Sequence, residues 1–194
     1  MNKTQAELFH ESAFAAEKFI LPQEMAADFV VIELLSENDL GSTFLLSKRA
    51  DGSKYVLKCY RKSETEGIGK ESEIMRGLSH IGLPSFEADY DDGEAVFVLR
   101  EFAQGISLDD YLEENTRIEP ALTVKIISAL CDTLSYLHSQ PAPIIHRDVK
   151  PSNIIINLSD NSVKLIDFGI SRTYTEGAKN DTQQYGTKPF SAPE

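Results

Sequence analysis

His146-Arg147-Asp148-Val149-Lys150-Pro151-Ser152-Asn153 runs directly into the apolar triplet Ile154-Ile155-Ile156. A polar turn, Asn157 to Ser162, separates it from a second short apolar run, Val163 to Ile166, which delivers Asp167-Phe168-Gly169. Two β-branched runs joined by Asn, Asp and Ser predict a small hairpin with a polar loop on either flank. One loop carries Asp148 with Lys150 and Asn153, the other Asp167. Such Asp and Asn residues can do no more than cap turns. Two carboxylates, an amide and an ammonium gathered at one end of a hairpin can also bind a cation and handle a proton.

The pattern H-R-D-x-K-x-x-N followed by D-F-G resembles the catalytic and metal-binding loops of the eukaryotic-type serine/threonine protein kinase family, in a bacterial-like form. Each piece alone is weak, but their order and spacing together are highly specific. The resemblance implies an α+β, protein-kinase-like two-lobe fold. Its N-lobe would be a five-stranded antiparallel sheet plus a C helix, and its helical C-lobe would be incomplete in this chain. It also implies ATP and Mg²⁺ as cofactors and a protein as substrate. Asp148 would orient and deprotonate the attacking hydroxyl, and Lys150 would bring positive charge to the transferring phosphoryl group. Asn153 and Asp167 would hold the metal.

Upstream motifs agree with this reading. Tyr55-Val56-Leu57-Lys58 resembles the family's V-A-I-K strand. Lys58 lies inside an apolar run, where an unpaired charge is expensive, so it needs an anionic partner. Residues 67–79 predict a helix with Ile74, Met75 and Leu78 as its apolar stripe. Glu71, rather than Glu73, then matches the family's C-helix glutamate. Glu101-Phe102-Ala103-Gln104-Gly105 resembles the hinge, where backbone groups of Glu101 and Ala103 would bind adenine. Val56, Ser107 and Ile155 are carried over as further nucleotide-lining positions. Arg100 falls where the family gates the pocket behind adenine; a buried arginine there must pair, with Glu71 or Asp167 as candidates.

The departure lies in the phosphate-covering loop. The family's three glycines correspond here to Ser36, Asn38 and Gly41, and only the last is glycine. Glu37 and Asp39 add negative charge where an anionic ligand is expected. That departure keeps a second function open, an ATP-binding pseudokinase-like or scaffolding module with little or no turnover.

Strands are expected at 29–35, 42–48, 54–60, 86–90 and 95–102, with turns at Ala50-Asp51-Gly52-Ser53 and Asp91-Asp92-Gly93. Ser107 is a plausible cap for a short helix to Asn115, and Pro120 opens a longer apolar helix to about Ser139. Residues 4–20 show three-to-four spacing of apolar residues, a helix stopped by Pro22. Three regions are expected: 1–25 as an N-terminal helical extension, 26–103 as N-lobe with hinge, and 104–194 as partial C-lobe. Ile170 to Ser191 is rich in hydroxyls and resembles an activation segment, whose phosphate Arg147 could bind. Gly186-Thr187 and Ala192-Pro193-Glu194 match the segment's end, and Lys150 with Thr187 resembles the serine/threonine class.

Composition narrows the partners. The chain has 194 residues, 41% hydrophobic, and a net charge of −12. That acidity disfavours nucleic acid and anionic membrane. No run of about 18 apolar residues and no signal peptide is visible, so a cytoplasmic protein is expected. Cys59 and Cys131 sit in apolar stretches and are expected to be reduced core thiols. The resemblance stops at the A-P-E motif, so helix 120–139 is expected to expose apolar surface. Self-association, the N-terminal helix or a partner would cover it.

Overall fold

The computed structural model describes residues 19–38, 41–62, 71–174, 186–187 and 189–190. The chain divides into two compact units, Met1–Ser72 with Phe86–Phe102, and Glu73–Ser85 with Ala103–Glu194.

The first unit is built on a five-stranded antiparallel sheet. Its strands are β1 (Phe29–Asn38), β2 (Gly41–Lys48), β3 (Lys54–Arg61), β4 (Phe86–Asp91) and β5 (Ala95–Glu101). Their spatial order is β1-β2-β3-β5-β4. A single turn of helix, α1 (Gln23–Ala26), precedes them. Strand period sets the two faces. Phe44, Leu46, Leu57, Phe97 and Leu99 point to one side and pack with Met25 and Phe29. Phe19 stacks on Phe44 at 3.9 Å between ring centroids. Each fully buried large apolar side chain contributes about 1.5–3 kcal/mol. The opposite side of β3 and β5 carries Val56, Lys58, Tyr60, Val98 and Arg100, all buried as well. A strand buried on both faces has no solvated side for a charge, so Lys58 must be neutralised inside the fold.

The first hairpin is longer than its sequence suggests. Strand β1 continues through Ser36, Glu37 and Asn38, paired with Thr43, Ser42 and Gly41. Side chains brace its tip: Asn38 Oδ1 accepts from the Gly41 amide, and Ser42 donates to Glu37. Gly41 is demanded by the sheet itself, since a Cβ there would lie 1.9 Å from the Cys59 carbonyl oxygen.

Helix α2 (Glu71–Met75) ends four residues before the expected position. It gives way to a turn in which the amides of Gly77 and Leu78 both bond the Met75 carbonyl. The boundary between the two units falls within α2. Of the expected helix over 4–20, residues 4–18 lie outside the described residues, and Phe19 and Ile20 have no regular structure.

The second unit contains α3 (Leu108–Glu114) and α4 (Pro120–His138). Its short strands are β6 (Ile106–Ser107), β7 (Ile144–Ile145), β8 (Ile154–Asn157), β9 (Ser162–Leu165) and β10 (Arg172–Thr173). The expected hairpin is β8–β9, extended by β6 on its other edge, while β10 pairs with β7. Ser107 Oγ caps α3 by accepting from the Asp110 amide. Helix α4 buries Ile126, Leu130, Thr133 and Leu137, one stripe at four-three-four spacing. The stripe is narrower than the helix's apolar content suggests. Val124 (68% exposed) and Ile127 (55%) face outward. Cys131 is exposed too, on the side of α4 away from that stripe, which corrects its expected place in the core. Among the described residues, no helix is long and apolar enough to cross a membrane.

Candidate active site

In the first unit the decisive group is the buried ion pair of Lys58 and Glu71. Lys58 projects from β3 opposite Thr43 on β2 and Val98 on β5. Its Nζ lies 3.4 Å from Glu71 Oε2, and the two side chains are 9% and 0% exposed. Glu73, two residues along α2, is exposed. Tyr60, next on the same face of β3, also donates its hydroxyl to Glu71 Oε2. The sequence reading did not pick out Tyr60. Its signal was the two-residue spacing from Lys58, which puts both side chains on one side of the strand.

Both neutralising bonds go to Oε2; Glu71 Oε1 has no hydrogen-bond partner among the described residues. Arg100 is not neutralised by the carboxylates expected for it. Its one hydrogen bond, at 3.4 Å, runs from Nη1 to the carbonyl oxygen of its neighbour Glu101. Val56 is buried beside Lys58 on the same face. Ser36 and Asn38 lie in the β1–β2 pairing, opposite Thr43 and Gly41.

In the second unit the polar groups converge on Asp148. Lys150 Nζ lies 2.8 Å from its Oδ2. Asn153 Nδ2 donates to the same oxygen and to the Asp148 carbonyl oxygen, both at 2.9 Å. Thr187 Oγ donates to Oδ1 at 2.9 Å and accepts from Lys150 Nζ at 3.0 Å. Burial alone would push the Asp148 carboxyl up. Hydrogen bonds from Lys150 and Thr187, the Lys150 charge and the Asn153 amide outweigh it and hold the carboxyl below its ordinary value of 3.8. Asp148 is therefore ionised throughout the neutral range.

Local backbone explains how the cluster is held. Pro151 fixes the start of a 3₁₀ turn, Pro151–Asn153, whose last residue donates its amide to the Lys150 carbonyl. Arg147 (φ 67) and Asp167 (φ 71) adopt left-handed backbone, a costly conformation for residues other than glycine. The Arg147 bend is tied down by Nε–H donating to the Ile170 carbonyl at 2.6 Å. At Asp167, Oδ1 accepts from the Gly169 amide at 3.0 Å. His146, 1% exposed, meets Phe168 edge to face at 4.9 Å, and its carbonyl takes the Ser171 hydroxyl.

The β8–β9 hairpin joins the two loops: the Ile166 amide donates to the Asn153 carbonyl oxygen at 2.8 Å. Strand β9 is itself anchored to residues 79–83. The Leu165 amide bonds Gly82, Lys164 Nζ bonds the Leu83 carbonyl, and the His80 ring stacks on Tyr136 of α4. Of the remaining nucleotide-lining expectations, Ala103 is buried. Ile155 pairs with Ser107, whose hydroxyl serves the α3 cap.

Divalent-cation fit can be tested on these donors. Asn153 commits its amide nitrogen to Asp148, so the amide oxygen points the other way, and Asp167 adds a carboxylate on the linked loop. Among the described residues no cluster of three or more His, Cys, Asp or Glu could cage a metal by itself. Two hard oxygen donors from protein, completed by phosphate and water, is how Mg²⁺ is commonly held. The residues present fit that ion.

The protein kinase domain family model matches residues 29–194. The chain belongs to the protein kinase domain family. Similar proteins include human serine/threonine-protein kinase 32B, 30% identical over 172 residues covering 86% of this chain and 41% of that protein. The Aurora kinase of Candida glabrata is 32% identical, covering 86% of this chain and 47% of its own length. Serine/threonine-protein kinase cds1 of Schizosaccharomyces pombe is 29% identical over 86% of this chain and 35% of that kinase. This kinase domain chain thus spans less than half the length of these relatives.

Proposed function

We propose that this chain transfers the γ-phosphoryl group of ATP to serine or threonine hydroxyls of protein substrates. The observation that carries the reading is the four-residue network of Asp148, Lys150, Asn153 and Thr187, in which both Asp148 oxygens are engaged. A carboxylate so well hydrogen-bonded is a weak base but a well-aimed acceptor. Asp148 orients the substrate hydroxyl and takes its proton late, once the oxygen has become acidic by bonding to phosphorus. Lys150 neutralises charge on the phosphoryl oxygens. Thr187 holds Lys150 and Asp148 in register, and its place in the network supports the serine/threonine class suggested by the named relatives.

Lys58 takes the α- and β-phosphates, with Glu71 keeping the ammonium at its post. Backbone groups of Glu101 and Ala103 receive the adenine, and Val56, Ser107 and Ile155 line the nucleotide. Asn153 and Asp167 supply the oxygens for Mg²⁺; the bound ion neutralises phosphate charge in the transition state. Gly41, Ser36 and Asn38 cover the phosphates through backbone groups only. With Glu37 nearby, weak ATP affinity is expected. The net charge of −12 and the lack of a spanning helix among the described residues support a cytoplasmic setting.

Radiolabelled ATP with a generic protein substrate tests the reading, followed by phosphoamino-acid separation. Label on serine or threonine, absent with Asp148→Asn, is expected. Label on tyrosine, or transfer unaffected by Asp148→Asn, would overturn it.

A further inference from the structure

Two buried groups of opposite charge on one sheet face each have an unsatisfied atom. Arg100 is 4% exposed and Glu71 1%. Arg100 Nε and Glu71 Oε1 have no hydrogen-bond partner among the described residues. A guanidinium does not lose its proton in a protein, so Arg100 stays charged. Its bond to the Glu101 carbonyl is long, at 3.4 Å.

Register places the two groups within reach. Val56 is opposite Arg100 and Lys58 opposite Val98, so Arg100, Lys58 and Tyr60 share a side of the sheet. Glu71 lies over Lys58 and Tyr60. Arg100 is two residues along β5 from the partner of Lys58, a span of about 7 Å that an arginine side chain covers. One further carboxylate, Asp89, stands opposite Val98 on β4. Asp89 is only half-buried, so its carboxylate is open to solvent on one side. Glu71 Oε1 has no such recourse. An orphaned charged atom costs more than a typical hydrogen bond yields, so a rearrangement that joins the two orphans is favoured.

We propose that Arg100 is a positioning residue for Glu71. Its Nε–H donates to Oε1 while Oε2 keeps Lys58 and Tyr60, so the carboxylate is gripped from both sides. Lys58 can then turn to a phosphate without releasing Glu71. This rests on the nucleotide reading above, in which Lys58 is the phosphate cation.

The test is a double-mutant cycle on the full chain with Arg100→Met and Glu71→Gln. It is read by Mg·ATP calorimetry, by KM and kcat, and by thermal midpoint. Each single variant is expected to weaken ATP binding about ten-fold, mostly through KM, the effect of one charged hydrogen bond. The double variant is expected to be no worse than Glu71→Gln alone, because that change already removes the Arg100 contact along with the Lys58 pairing. Arg100→Lys, which keeps the charge, is expected to recover part of the loss, and it serves if the methionine variant fails to fold. Independent effects in the cycle, unchanged ATP affinity in Arg100→Met, or coupling to Asp89→Asn in place of Glu71→Gln would each overturn the proposal. Lys58→Met separates the two readings. If that variant binds ATP normally, the nucleotide reading fails, while Arg100–Glu71 coupling in the thermal midpoint still stands or falls by itself.

Discussion

The two units of the chain handle buried charge in opposite ways. Around Asp148 both carboxylate oxygens are engaged, and the surrounding ammonium and hydroxyl are bonded to each other as well. Around Lys58 the charges are deeper: a 3.4 Å ion pair braced by Tyr60, with one carboxylate oxygen and one guanidinium nitrogen that have no hydrogen-bond partner among the described residues. A satisfied network is rigid before any ligand arrives. An unsatisfied one has free energy to gain from a ligand or a rearrangement. On the proposed function, chemistry belongs to the first and ligand-dependent ordering to the second.

The largest expected effect follows from removing the negative charge at the centre of the satisfied network. Asp148→Asn should lower transfer by about 10³-fold, since a positioned acid–base group contributes in the range of 10²–10⁴-fold. Near-normal turnover in a filter-binding assay would remove Asp148 from the chemistry and erase the contrast. On the sheet, Leu57→Ala tests the wall behind Lys58. Leu57 is 0% exposed, and its loss should cost about 2–5 kcal/mol in denaturant titration. A smaller change would mean the sheet is looser than its packing implies.

Thr187→Val sharpens the contrast from the other side. It removes a donor to Asp148 and an acceptor for Lys150, and kcat should fall about ten-fold, the worth of a hydrogen bond to a charged group. The acid side should respond too. Because the folded Asp148 carboxyl sits below 3.8, its contribution to stability is complete above that value and lost as pH falls through the folded one. Thr187→Val raises the folded value toward the ordinary one, so acid unfolding should depend less on Asp148, as measured by circular dichroism from pH 5 to pH 2. The smallest effect belongs to Val124→Ser on the exposed side of α4. It should shift stability by no more than about 0.5 kcal/mol, and a larger loss would show that this side is covered in solution.

Much of this was legible in the sequence because short-range chemistry dictates it. The β8–β9 hairpin follows from two β-branched runs and a turn of Asn, Ser and Asp. The five-stranded sheet follows from runs punctuated by Gly52 and Gly93. Asp148, Lys150 and Asn153 are neighbours in the chain, so their cluster could be read from spacing alone. Thr187 joins Asp148 across 39 positions, and only the resemblance hinted at it. Helix α2 was read too long because its apolar stripe continues to Leu78, while the helical hydrogen bonding gives way at Met75 to a turn closed by the Gly77 and Leu78 amides. Gly41 was read as a ligand contact; the approach of Cys59 is a further reason for glycine there, one that no local pattern shows. The unsatisfied atoms of Glu71 and Arg100 depend on rotamers and register between distant segments, which no local pattern encodes.

The most direct measurement is Mg·ATP affinity and phosphoryl transfer in one preparation, for wild type, Asp148→Asn and Lys58→Met. The expected result is a crossed pattern. Asp148→Asn should bind nucleotide within a few-fold of wild type and transfer almost nothing, while Lys58→Met should lose affinity. If Asp148→Asn loses binding and transfer together, or keeps both, the division between a network that performs the chemistry and a sheet that holds the nucleotide is wrong.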